Sequence, residues 1–345
     1  MKRLFSRLAL FLGCASLLFG AGGCDFLTGE DQADATGLFP VLLDGRWGYI
    51  NSLGRMVIEP QFYAAEAFSD DLAHVRTGSG HGFIDPDGDF VIEPRFEDAR
   101  SFSDGLAAVR MDGRWGYLNR SGTFEINPQF TSAHAFSEGR AFVRTLDYDW
   151  EYIDTSGEIV RDATTPDLDE VDEPAFSDGL ALVRHGDTYG YIDRSGKLVI
   201  PLQYSAARAF ADRRAAVKIS DRWGYIDDKK STAISPQFIS AASFSDDRAP
   251  VRKDGNQWGY IDRSGSLAIA AQFDEAMPFS EGRAPVMVDE KWGYIDPSGA
   301  YIIEPQFDEA MPFKDGAARV RINVGERQTY GYIDRDGKFL WYPTD

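Results

Sequence analysis

Carboxylates are the side chains in this sequence whose type and spacing could do chemistry. Aspartate follows a Tyr-Ile pair at Asp193, Asp227, Asp262, Asp296 and Asp334. Such groups ligate calcium, or act in pairs as general acid and base. A group that recurs at the same place in every repeat reads instead as turn chemistry, because Asp and Asn accept backbone N–H bonds in the turn that follows a strand. Asp85-Pro86-Asp87-Gly88-Asp89 has the opening spacing of a calcium loop but lacks the downstream bidentate Glu, so it reads as a hairpin turn. His74, His81, His134 and His185 show no paired spacing, and no cysteine follows Cys24, so no metal site is expected. Nucleophile elbow, phosphate loop and dinucleotide fingerprint are all missing from the sequence. The expectation is a protein that is not an enzyme and needs no cofactor. A glycan-active enzyme using an Asp/Glu pair is the least supported alternative.

Charge narrows the partners. The formal net charge is −19, and removing residues 1–23, which hold Lys2, Arg3 and Arg7 and no acidic residue, takes it to −22. Such a surface repels phosphate backbones, so nucleic acid is not an expected partner. Hydrophobic residues at 43% are ample for a core.

Residues 1–7 carry three positive charges, Leu8 to Phe19 is an apolar run, and Gly20-Ala21-Gly22-Gly23 are small. This is the order of an export signal, and the run is too short to span a membrane comfortably. The small residues Ala21, Gly22 and Gly23 end at Cys24, and together they resemble the lipobox of bacterial lipoproteins, in which the cysteine sulfur is acylated. The pattern usually has Leu where this chain has Ala21. The resemblance implies a signal peptide over 1–23, lipidation of Cys24 and contact with a membrane through the lipid; several acyl chains on one cysteine hold firmly where one would not. Asp25 resembles the inner-membrane retention signal of enteric lipoproteins, with the outer membrane as the alternative. Residues 24–36 are rich in acidic and small residues and read as a tether.

From residue 37 to 345 one unit is written nine times. The Tyr/Phe-Ile/Leu-Asp/Asn signature begins at Tyr49, Phe83, Tyr117, Tyr152, Tyr191, Tyr225, Tyr260, Tyr294 and Tyr332. A Phe-Ser-Asp/Glu step, as at Phe102-Ser103-Asp104, alternates with it. In the unit from Phe102, Leu106 to Arg110 reads as a strand and Asp112-Gly113 as a two-residue hairpin turn. Trp115 to Asn119 reads as a second strand and Phe124 to Ile126 as a third, followed by a loop around Pro128-Gln129-Phe130. Glycine beside the large aromatic leaves room for a neighbouring backbone. One three-stranded meander cannot bury its aromatics alone, so units must stack.

The pairs Trp47-Gly48, Trp115-Gly116, Trp223-Gly224, Trp258-Gly259 and Trp292-Gly293 resemble the WG-repeat family over about residues 37–343. Tyr189-Gly190, Tyr330-Gly331 and His81-Gly82 are substituted versions, and Trp150-Glu151 loses the glycine. The resemblance implies a repeat fold and no particular reaction or ligand.

The fold expected is therefore all-β, with nine tandem three-stranded antiparallel meanders. Variable spacing between signatures and the lack of a unit split between the two ends favour an open, curved or superhelical array over a closed propeller-like ring. Recognition is expected where units differ. The fourth unit is longer, and its acidic stretch, with Asp167, Asp169, Glu170, Asp172 and Glu173, is a candidate docking loop. The functional expectation is a cell-envelope lipoprotein that presents a binding or scaffolding surface to an unidentified protein or glycan, with a structural spacer as the alternative.

Overall fold

The computed structural model describes residues 37–163, 165–324 and 327–342. Ala21, Gly22, Gly23, Cys24 and the tether lie outside the described residues. Within them all regular structure is β-strand, and no helix is long and apolar enough to cross a membrane.

The strands form nine small sheets in chain order, seven of four strands and two of three. The third sheet is the clearest. Leu106–Met111 pairs residue for residue with Arg114–Asn119 around Asp112 and Gly113. Both turn residues are left-handed, at φ 50° and 74°, as a tight hairpin matched to strand twist requires. Phe124–Phe130 then pairs with Arg114–Asn119, and the two-residue strand Asp98–Ala99 pairs on the opposite edge of the hairpin.

Two details differ from the sequence expectation. The repeat has a fourth strand, too short for any hydrophobic pattern to announce it. The Pro-Gln-Phe step also lies inside a strand and not in a loop. Trp115 pairs with Phe130 while Tyr117 pairs with Ile126, so the outer strand carries extra residues in a bulge. Proline fits there because a bulge frees a backbone position from the ladder. The bulge explains the glycine after each tryptophan. A Cβ on Gly116 would lie 2.5 Å from the Ile126 carbonyl oxygen and 2.7 Å from Pro128 N.

Both faces of each sheet are buried, because each sheet is sandwiched between two others. Tyr225, Ile234 and Phe238 of the sixth sheet pack on Ala249, Val251 and Ile261 of the seventh. Alternation along the strand sends the signature Tyr forward to the next sheet and the following Ile back to the previous one. Each Tyr also secures the junction with a hydrogen bond. The hydroxyls of Tyr49, Tyr117, Tyr191, Tyr225, Tyr260 and Tyr294 donate to the carbonyls of Glu66, His134, Arg208, Ala242, Met277 and Met311 at 2.7–2.8 Å.

The last sheet makes the same kind of contact with the first. The Tyr332 hydroxyl donates to the Pro40 carbonyl at 3.1 Å, and the Phe39 and Tyr332 rings lie 5.2 Å apart. Phe39, Val41 and Ile50 form one buried cluster with Ala317 and Tyr332, against which Leu340 and Trp341 pack. Gly54, left-handed at φ 75°, abuts the Leu340 carbonyl so closely that no side chain would fit. Nine sheets closed first to last are the blades of a β-propeller. The open array expected from sequence is thereby corrected: the variable spacing is absorbed in loops, and closure needs no shared blade.

The bulge contact can be checked directly. Gly224→Ala would place a methyl 2.5 Å from the Ile234 carbonyl oxygen. It should cost about 3 kcal/mol, seen as a lower denaturant midpoint. A midpoint unchanged from the wild type would mean that the bulge does not constrain this position.

Candidate functional site

The signature aspartates are held in turns. Asp262 Oδ1 accepts the Ser264 and Ser266 amides at 2.8 and 3.1 Å, and Asp296 accepts those of Ser298 and Ala300 at 2.8 and 3.1 Å. The Ser264 and Ser298 hydroxyls, followed by these amides, keep both carboxylates below their usual range. Each of these aspartates bonds within its own blade. Among the described residues no group of three or more His, Cys, Asp or Glu is placed to hold a metal ion.

The acid of the Phe-Ser-Asp/Glu step works between blades. Asp70, Asp104, Glu138 and Asp246 accept the amides of Gly105, Gly139, Gly179 and Gly282 in the next blade at 2.7–3.0 Å. All four are left-handed, at φ 50–53°. Arginines of the next blade reinforce the contact: Arg194 meets Glu138 at 2.6 Å and Arg335 meets Glu281 at 2.7 Å. The serine before the acid donates across the same junction, Ser69 to the Phe102 carbonyl at 2.7 Å and Ser280 to that of Phe313 at 2.6 Å.

What remains available to a ligand are clefts between blades, beside the tryptophans. Trp115 lines one of about 560 Å³ with Arg100 of its own blade and with His134 and Pro174 of the chain that follows. Trp223 lines another of about 210 Å³ with Asp172, Glu173 and Arg208. Trp47 lines a third, of about 620 Å³, at the seam of the ring. The guanidinium groups of Arg100, Arg208 and Arg252 lie 5.5, 5.9 and 5.7 Å from the rings of Trp115, Trp223 and Trp258. Trp47, Trp223, Trp258 and Trp292 also pack against the buried clusters of their own blades. Gly48, Gly116, Gly224, Gly259 and Gly293 all sit under outer-strand backbone, so they position tryptophans rather than touch a ligand.

The acidic stretch of the fourth unit is largely woven into the ring. The fourth blade lacks a continuous outer strand among the described residues, keeping two isolated bridges, Ile153–Ile159 and Trp150–Leu168. With no bulge overhead, residue 151 can be Glu where other blades need Gly. The Glu151 carboxylate, 8% exposed, binds Arg161 at 2.7 Å, and Arg161 also binds Asp167 at 2.5 Å. Burial raises the Glu151 pKa, and Arg161 opposes the rise. Leu168 bridges Trp150, Asp169 bridges Arg184, and Val171 is buried with Phe142 and Phe176. Asp169 accepts the Gly186 amide at 2.7 Å and Glu173 the Ala209 amide at 3.0 Å. Glu170 and Asp172 are exposed and make no hydrogen bond among the described residues.

The family pattern described as a WG-containing repeat matches residues 47–79, 82–115, 115–148, 189–223, 223–256, 258–292 and 292–323. The chain belongs to the WG-repeat family. The stretch these repeats leave unmatched inside the ring, 149–188, holds Glu151 and the acidic insertion. No individual curated protein matches the chain. Among solved structures, BamB from Moraxella catarrhalis is similar at 13% identity, covering 79% of this chain and 94% of its own, with a TM-score of 0.47. Kluyveromyces lactis Hsv2 is similar at 9% identity over 70% of this chain and 94% of its own, with a TM-score of 0.39. A quinoprotein alcohol dehydrogenase-like protein from Bacteroides thetaiotaomicron shares 13% identity over 78% of this chain and 80% of its own, at 0.38.

One WG-repeat blade carries a cluster that sequence reasoning missed. In the second blade His81 replaces the tryptophan, and its Nδ1 lies 2.8 Å from His74 Nε2, with the rings stacked. Spacing alone hid the pair, because the two residues meet diagonally across a hairpin. Glu66 Oε1 is 3.6 Å from His74 Nδ1, a buried nitrogen with no hydrogen-bond partner. The His74 ring, with the Ser101 hydroxyl at 2.7 Å, holds Glu66 down to about 2 against the effect of its burial. Burial, and then His74, push the His81 pKa below 6.5.

A depressed histidine pKa means that the unfolded chain takes up the proton first. Stability is therefore fully present above 6.5 and is lost as pH falls through the lower folded value. The His81→Trp variant, which restores the repeat residue, should lose less stability than the wild type on going from about pH 7 to about pH 5. Chemical denaturation at the two pH values measures this, and parallel losses would dissociate His81 from acid sensitivity.

Proposed function

We propose that this WG-repeat propeller is a cell-envelope lipoprotein, anchored through Cys24, that serves as a non-catalytic binding or scaffolding module for a protein or glycan. The observation that carries the reading is where the reactive side chains are engaged. The signature aspartates cap turns, the Phe-Ser-Asp/Glu acids fasten neighbouring blades, and the buried tyrosine hydroxyls bond across junctions. Catalysis needs such groups converging on a substrate. Here they are distributed around the ring in fixed structural bonds, while the tryptophan-lined clefts stay open.

The anchor follows from the small residues before Cys24, the apolar run ahead of them and the acidic tether behind. A tether of this kind would hold the ring away from the bilayer while the lipid restricts it to one surface. Asp25 favours the inner membrane facing the periplasm.

Cells fed radiolabelled palmitate should label the wild-type protein, and Cys24→Ala should abolish the label and move the protein to the soluble fraction. Label retained on the Cys24→Ala protein would place the acyl group elsewhere and remove the basis for the anchor.

A further inference from the structure

Eight of the nine junctions in the ring share one aromatic contact. A phenylalanine of the following blade stands edge-on to the signature ring, from Phe68 on Tyr49 at 5.1 Å to Phe313 on Tyr294 at 4.9 Å. A short inner strand comes just before that phenylalanine in seven blades, and in the fifth a single bridge from Asp169 to Arg184 takes its place. The ninth junction differs. Tyr332 lies tilted against Phe39, and its hydroxyl bonds the Pro40 carbonyl. In the second and seventh blades the corresponding carbonyls, of His74 and Pro250, accept an inner-segment amide at 3.0 Å. The closing tyrosine thus takes as its acceptor a carbonyl one strand further on, whose counterpart Tyr152 reaches at 3.5 Å beside its shorter bond to Pro174, and its bond is longer than the principal bonds of the other tyrosines.

Three observations make this seam a receptive site. Phe39–Leu43 pairs on one edge only among the described residues, and Leu42 is 50% exposed. Beside that edge is the cleft of about 620 Å³, lined by Trp47, Phe68, Met311, Pro312 and Tyr332. Asp315 also lines it, left-handed at φ 54° like Asp104, but its carboxylate makes no hydrogen bond among the described residues. The sequence just upstream does not suit the place. The 34-residue period sets Asp31 where other repeats have Ala65 or Ala99, and Asp34 where they have Phe68 or Phe102. Neither position offers the small residue or the aromatic side chain that the other junctions use.

We propose that the seam cleft receives an extended segment of a partner polypeptide, which adds a strand to the Phe39–Leu43 edge and inserts an aromatic side chain against Tyr332. The regular junctions serve as the template: a small residue, an aromatic three positions later and, from the second junction on, a donor for the facing carboxylate. Main-chain bonds to an open edge supply affinity, and the pocket for one side chain supplies selectivity. The inference rests on the binding-module reading and gives it a place and a ligand class.

The test titrates the full chain against a fluorescent peptide with the sequence of residues 62–71, Phe-Tyr-Ala-Ala-Glu-Ala-Phe-Ser-Asp-Asp, which fills the equivalent place at the first junction. Saturable binding is expected, and a peptide with Asp at the second phenylalanine should bind at least tenfold more weakly. The protein variant Asp34→Phe, which gives the chain its own aromatic, should also weaken peptide binding at least tenfold while raising the melting temperature. No saturable binding, or equal binding by Asp34→Phe, overturns the proposal. Binding that appears only after deletion of residues 25–36 also overturns it, since the chain would then be closing its own seam. None of these results alters palmitate labelling, so the anchor reading stands or falls separately.

Discussion

A buried phenol that must find an acceptor in the next blade organises this protein. The signature tyrosines are nearly inaccessible, and burial pushes their pKa values up, so each remains a proton donor throughout the physiological range. A buried hydroxyl without a partner is costly. In a blade on its own these hydroxyls would have no acceptor, because the carbonyl they use lies in the segment leading into the following blade. The repeat is incomplete by itself, and successive copies must be laid side by side. Closure extends the same requirement to Tyr332, whose phenol is pushed up to about 12 and which takes its acceptor from Pro40 at the other end of the ring.

Around that bond the remaining repeat residues become intelligible as one packing problem. The tryptophan-bearing strand is covered by an outer strand that bulges, so the next residue has no room for a side chain. The acid of the Phe-Ser-Asp/Glu step adopts a left-handed turn and reaches forward to a neighbouring amide. Fourth-blade Glu151 shows the logic in reverse: among the described residues the outer strand is reduced to two isolated bridges, and an Arg161–Glu151 pair takes the place where other blades have glycine under the bulge. Local chemistry changed because the constraint that excluded it was lifted.

Much of this was legible in the sequence. Period, hairpins and turn residues are local features, and Asp112-Gly113 or Asp262 carry their conformational preferences with them. The two-residue inner strand was not legible, since two residues cannot display alternation. Pro128 disguised a bulged strand as a loop. Ring closure was hidden because it depends on Phe39 and Tyr332, which are far apart in the chain, and because the aspartate at position 34 breaks the pattern where a closing phenylalanine would have been recognised. The His74–His81 pair escaped for a related reason, as a diagonal contact across a hairpin whose register is known only once the strands are paired.

The two irregular junctions lie nearly opposite one another, the insertion between the fourth and fifth blades and the seam between the ninth and first. They depart from the repeat in different ways. At the insertion, extra chain brings its own hydrophobic groups, Leu168 and Val171, and its own acceptors, Asp169 and Glu173, so the junction is closed by residues of the ring. At the seam, the described chain supplies one aromatic, Phe39, leaving an edge strand, a cleft and an unbonded carboxylate. A repeat protein whose regular units satisfy one another has little free energy to offer a ligand there. Binding free energy is available where satisfaction is incomplete, and by that criterion the seam outranks the acidic insertion, although the insertion carries the more conspicuous sequence.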